Sequence, residues 1–131
     1  MNAAARFRAA VERADLAAVG ELLAEQVVFH SPVTFHPFVG RETVTRLLGE
    51  VGGVFEDFRY TDELETDGAH ALIFRAAVGG RQIEGIDLLR FDGEGLIADF
   101  TVMLRPLSGL LPFAEAIGER VTAAGLQTTR G

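Results

Sequence analysis

Asp87, in Ile86-Asp87-Leu88-Leu89, sits in an otherwise apolar β-prone run and is the residue of this sequence best placed to do chemistry. An ionised carboxylate on an apolar face is costly unless something supports it. Desolvation raises the pKa of such a group and equips it as a general base near neutrality, or as a neutral hydrogen-bond donor. A carboxylate satisfied by a helix backbone or an arginine stem is instead a structural acceptor, and the residues alone leave both readings open. His70 is the other titratable group that strand register brings to the same face, as a diagonal neighbour at roughly 7–8 Å between backbones. Asp87 and His70 are therefore the candidate catalytic residues, and a His–Asp dyad is compatible with the register. The remaining histidines, His30 and His36, lie by prolines in a loop and share no ligand spacing with His70, so no metal or other cofactor is expected. Ser31, before Pro32, suits turn hydrogen bonding and has no triad signature around it.

The elements that position these residues follow from the turn signals. Asp67-Gly68, Gly79-Gly80 and Asp92-Gly93-Glu94-Gly95 recur at near-regular spacing between β-prone runs, the pattern of a four-stranded antiparallel meander. A two-residue loop at Gly79-Gly80 sets Val78 opposite Arg81, Phe74 opposite Gly85, Leu72 opposite Asp87 and His70 opposite Leu89. Leu72, Phe74, Ala76, Ile83, Gly85 and Leu89 then share one face. Pairing Phe91 with Leu96 across the next loop adds Ala98, Phe100, Val102 and Leu104, and sets Asp87 between Leu72 and Phe100. The opposite face collects Arg75, Glu84, Arg90, Asp99, Thr101 and Arg105 among Ile73, Ile86, Leu88, Ile97 and Met103. The first face is the interior, and Arg75 with Glu84 reads as a cross-strand ion pair on the other. One residue in the Asp67-Gly68 loop decides whether Tyr60 and Asp62 face inward, which leaves both as candidates for the rim.

Upstream, Phe7, Ala10 and Val11, then Leu16, Val19, Leu22 and Leu23, give two short amphipathic helices with Asp15 as the N-cap of the second. A β-like run, Val27 to Pro32, and a loop lead to a third helix from Gly40, with Val44, Leu47, Leu48 and Val51 on one side. A last helix is expected from about Leu110 to Ala124. The whole chain, 1–131, reads as one domain, whose 48% apolar content suffices for a core. Without cysteine there are no disulfides or thiolate sites, and a cytoplasmic location is expected. A net charge of −7, spread along the chain, works against binding nucleic acid, and no run is long and apolar enough for a membrane span.

Three N-terminal helices, a strand ending in Phe29-His30-Ser31-Pro32, the Gly40-Arg41-Glu42 helix start and Phe91-Asp92-Gly93-Glu94-Gly95-Leu96-Ile97 before the last strand resemble the SnoaL-like branch of the nuclear-transport-factor-2-like superfamily. The likeness covers about residues 5 to 106. It implies an α+β fold in which a cone-shaped, curved antiparallel sheet carries the three N-terminal helices on its concave face. Members include ketosteroid isomerases, polyketide cyclases, limonene-type epoxide hydrolases and proteins of no known activity, so the resemblance specifies fold better than function. The aspartate that such epoxide hydrolases place on the last strand meets Val102 here, their Tyr-x-Asn meets Phe29-His30-Ser31, and the cyclases' last-strand acid meets Thr101-Val102. Epoxide hydrolysis is not expected, and the cyclases' residues do not carry over.

The expectation is a pocket protein for an apolar, cyclic or polyketide- or steroid-like small molecule, with proton transfer through Asp87. The lining is expected from Phe29, Ser31, Tyr60, Leu72, Phe74, Ile83, Leu89, Phe100, Val102 and Leu104. The competing expectation is a binding or assembly module without catalysis. The apolar residues of the outer face predict a homodimer formed through it.

Overall fold

The computed structural model describes residues 2–129. Two helices open the chain, α1 (Ala3–Glu12) and α2 (Leu16–Glu21), each started by a side chain that accepts an orphan helix N–H: Asn2 from Ala5 at 2.8 Å, and Asp15 from Ala18 at 3.1 Å. Strand β1 (Leu23–His30) and the short β2 (Phe38–Val39) follow, then α3 (Arg41–Val54). The meander is β3 (Glu56–Thr66), β4 (Ala69–Val78), β5 (Arg81–Phe91) and β6 (Ile97–Arg105), and α4 (Leu107–Ala124) closes the fold. Helix α4 begins three residues before the expected Leu110, directly after Pro106, and ends where Gly125 takes the left-handed conformation at φ 72°.

The six strands form one curved, unclosed sheet in the order β2-β1-β6-β5-β4-β3. It is mixed rather than wholly antiparallel, because β1 lies parallel to β6, with Phe29 opposite Phe100 and His30 opposite Thr101. Parallel partners need a long intervening connection, here the whole meander, so the direction of β1 could not be read from its own residues.

Between β4 and β5 the register is the expected one throughout, with Leu72 opposite Asp87 and His70 opposite Leu89. Between β5 and β6 the pairing is displaced by two residues: Leu89 faces Phe100, and Asp87 faces Val102 rather than Phe100. A slip of two keeps every side chain on its face, so the inner set survives. The cause lies in the loop, where Asp92 Oδ1 accepts from the N–H groups of Glu94 and Leu96 and the Asp92 N–H donates to Leu96 O. Leu96 is drawn into the turn, and a bulge at Arg90/Phe91 takes up the difference. That bulge corrects one placement: Ile97 is not on the outer face but fully buried, beside Leu23 of β1.

The core occupies the concave side, where Phe7 of α1 meets Phe100 edge-to-face at 5.4 Å and Phe29 packs against Phe100 at 5.1 Å. On the convex side Arg75 and Glu84 pair at 3.3 Å as expected, and Arg105 joins the same carboxylate at 3.1 Å.

Candidate active site

Helices α1, α2 and α3 do not fill the concave face completely. They leave a cavity of about 380 Å³ between Phe7, Phe55, Phe58, Tyr60, Phe100 and Val102. Its wall on α3 includes Leu48, Gly49 and Gly52, and among the described residues two charged ones border it, Asp87 in the sheet and Asp15 at the start of α2. Asp15 is occupied with capping α2 and with Arg13 at 3.4 Å. Asp87 is the one buried charged group on the cavity wall.

Register explains how Asp87 acquires its partner. Tyr60 lies opposite Phe74, on the inner face, and its hydroxyl donates to Asp87 Oδ2 at 3.0 Å. A bulge between Tyr60 and Asp62 then reverses the alternation, so Asp62 pairs with Ile73 of the outer face, while Glu63 and Glu65 come opposite Leu72 and His70. The two rim candidates are thus separated: Tyr60 is inside and buried, Asp62 is exposed. No glycine or proline in Arg59-Tyr60-Thr61-Asp62 announces the bulge.

His70 is buried, but the geometry does not join it to Asp87. Its Nε2 lies 3.0 Å from Glu63 and its Nδ1 3.7 Å from Glu65, the carboxylates that the bulge set opposite Leu72 and His70. Glu63 also takes the guanidinium of Arg8 on α1, which contacts Glu12 at 3.4 Å and lies 5.4 Å from the centre of the Tyr60 ring. The His70 hydrogen bond, seconded by Arg8, holds the Glu63 carboxyl below its usual range. In place of the dyad that the register allowed there are two arrangements: Tyr60–Asp87 on the cavity, and His70–Glu63–Arg8 behind the Tyr60 ring.

Of the expected lining residues, Tyr60, Phe100 and Val102 border the cavity. Phe29, Leu72, Phe74, Ile83 and Leu89 are solid core instead, and Leu104 is half-buried. Ser31 lies in the loop after β1, where its hydroxyl accepts the N–H groups of Val33 at 3.0 Å and Thr34 at 3.1 Å. Phe7, Phe55 and Phe58 were missed as lining; Phe7 was legible as a helix-face residue, but not as one that borders space rather than fills it. His30 is turned away to Asp99, at 3.0 Å, and among the described residues no group of three or more His, Asp or Glu is placed to hold a metal.

Burial raises the Asp87 carboxyl from an ordinary value of 3.8, and the hydrogen bond from Tyr60 offsets part of that rise, leaving it at about 7. Burial and the neighbouring Asp87 charge together raise the Tyr60 phenol, which keeps it a neutral donor. Tyr60→Phe is accordingly expected to move the Asp87 midpoint higher still and to cost about 1 kcal/mol above neutrality, where the donor serves an ionised acceptor. Titration of the carboxyl measures the first effect and melts above neutral pH the second, and an unchanged midpoint would show that the 3.0 Å bond does not tune Asp87.

The sequence profile of the SnoaL-like domain matches residues 4–100. A steroid delta-isomerase structure from Pseudomonas aeruginosa is 38% identical, over 95% of this chain and 93% of its own, with a TM-score of 0.88. An uncharacterised protein of cystatin-like fold from Silicibacter pomeroyi is 34% identical, over 94% and 87%, with a TM-score of 0.89. A protein of unknown function with a cystatin-like fold from Xanthomonas campestris, 24% identical over 86% and 98% with a TM-score of 0.68, shares the fold. No curated protein matches the chain. The fold, the placement of the helices and the extent of the match agree, and the chain belongs to the SnoaL-like domain family.

Proposed function

We propose that the chain is a small-molecule pocket protein that takes an apolar, cyclic ligand of the steroid or polyketide kind and moves a proton on it through Asp87. The observation that carries this reading is a buried carboxyl, raised to about 7, on the wall of an apolar cavity of about 380 Å³. As a carboxylate, Asp87 takes a proton from a carbon next to a ligand carbonyl, leaving an enolate. As the acid so formed, it returns the proton to another carbon of the conjugated system, and the enzyme ends as it began. Tyr60 holds one carboxylate oxygen throughout and leaves the other to the ligand. Similarity to a steroid delta-isomerase supports the reaction class. His70, bound to Glu63 outside the cavity wall, is given a positioning place behind Tyr60 rather than a share in the proton transfer.

A thermal-shift panel of steroids, terpenoids and aromatic polyketides tests the binding half of this reading. A ligand at 100 times its dissociation constant raises stability by roughly 2.7 kcal/mol. Gly52→Leu supplies the control, because nothing lies within 4 Å of the position a Gly52 Cβ would take and the residue borders the cavity. The variant is expected to melt higher by up to about 1 kcal/mol from helix propensity, and yet to lose the ligand shift. A panel without any shift would favour the non-catalytic module instead.

The outer face supports a second proposal, a homodimer formed through it. Leu64 and Met103 are 64% and 50% exposed there, and Ile73, Ile86 and Leu88 lie partly uncovered between them. Light scattering at micromolar concentration is expected to give twice the chain mass, and Ile86→Glu to halve it; a monomeric parent would contradict the proposal. No described helix is long and apolar enough to cross a membrane, and the cysteine-free composition supports a cytoplasmic location.

A further inference from the structure

The cavity has a charge preference that its apolar walls conceal. We infer that the cavity takes a lipophilic amine, bound as its ammonium to Asp87 Oδ1, with the ring body of the ligand packed among Phe7, Phe55, Phe58 and Phe100. This inference rests on the cavity reading above and adds a second ligand class, which occupies the Asp87 oxygen left to the carbonyl ligand and so competes with it.

Three observations carry the inference. Asp87 is 7% exposed and borders the cavity, and its Oδ2 is satisfied by Tyr60, while Oδ1 has no protein donor among the described residues. No fully enclosed side-chain oxygen among the described residues lacks a partner, so Oδ1 keeps some surface, on a residue that borders the cavity. A carboxylate oxygen without a donor, on a nine-tenths buried residue that borders an apolar space, gains from a donor on whatever enters. Second, among the described residues no basic one borders the cavity: both charged residues on its rim and wall, Asp15 and Asp87, are acidic. Arg8 lies against the Tyr60 ring with its guanidinium held by Glu63 and Glu12. Third, five of the lining side chains are aromatic, and their ring faces attract a cation, the more so away from water.

An organic ammonium meets all three conditions at once. It gives Oδ1 its hydrogen bond, supplies the countercharge that the burial of Asp87 otherwise lacks, and presents a positive centre to the rings. A neutral alcohol meets only the first. A carboxylate ligand meets none, and would bring a second negative charge beside the first in a chain of net charge −7.

The test compares 4-phenylbutylamine, 4-phenylbutanol and 4-phenylbutyrate by calorimetry at about pH 8, where Asp87 is largely ionised and the amine is still protonated. The amine is expected to bind at least about tenfold more tightly than the alcohol, and the carboxylate not measurably. In Asp87→Asn the preference for the amine over the alcohol is expected to disappear, because the charge that singles out the ammonium is gone. Equal binding to the parent, or tighter binding of the alcohol or carboxylate, overturns the inference and leaves the pocket reading standing. An amine preference that survives in Asp87→Asn also overturns it, because the ammonium would then be held elsewhere. Failure of both amine and alcohol to bind overturns the inference and the pocket reading together.

Discussion

Asp87→Asn is expected to melt higher than the parent above neutral pH and to have no proton-transfer activity. The sign follows from linkage. Unfolded, the carboxyl titrates near 3.8; folded, it titrates near 7, so between those values the folded chain holds a proton that the unfolded chain has lost. Stability contributed at this residue is therefore complete below about pH 4, declines as pH rises through the window, and is flat again above about 7. The whole decline amounts to roughly 4 kcal/mol, from three pKa units at about 1.4 kcal/mol each. Asparagine cannot ionise, still accepts from Tyr60 through its carbonyl oxygen, and removes the decline. It also brings an amide into an apolar space, so the net gain above pH 7 is expected to be about 1–3 kcal/mol. Melts of both proteins at several pH values measure the gain. A variant less stable than the parent at all pH values would identify Asp87 as a structural acceptor.

Gly85→Ala is expected to have a comparable effect of opposite sign. Gly85 faces Phe74 across the β4–β5 pair, two residues before Asp87 on the inner face. A Cβ there would lie 2.3 Å from Phe74 Cζ and 2.7 Å from Leu104 Cδ2, so the ring of Phe74 occupies the space a side chain would need. That ring cannot retreat freely, because it stacks on Phe58 at 4.8 Å and packs on Phe55 at 5.6 Å. Displacement costs about 3 kcal/mol by the usual measure of an overpacked core, and pushes the two cavity-wall rings toward the ligand space. Denaturant unfolding checks the loss of stability, and ligand affinity should fall with it. Tolerance of alanine without loss of either would mean that Phe74 has room the structure does not show.

How far the site was legible in the residues depended on how local each determinant is. The Gly79-Gly80 turn determines the β4–β5 register in two residues, and from it the inward direction of Asp87 followed. Even the two-residue slip at Asp92 left that direction intact, since side chains alternate with a period of two. The partner of Asp87 was not legible, because it depends on a bulge at Tyr60–Asp62 that no turn residue marks. The same bulge sets Glu63 and Glu65 opposite Leu72 and His70, where Glu63 takes His70, so a plausible His70–Asp87 dyad gave way to His70–Glu63. The cavity was the least legible feature. The helix faces that line it, with Phe7, Leu48 and Val51, have the same apolar spacing whether they close on the sheet or stand off from it. Only the packing of α1, α2 and α3 together leaves the space.

The central claim is that Asp87 keeps its proton in an apolar cavity until near neutrality, and a carbon-13 NMR titration of its side-chain carboxyl tests that claim most directly. The account predicts a single midpoint near 7, absent from spectra of Asp87→Asn and moved higher in Tyr60→Phe. A midpoint at or below about 4, the value of an unburdened carboxyl, would contradict it and leave Asp87 as an ordinary hydrogen-bond acceptor.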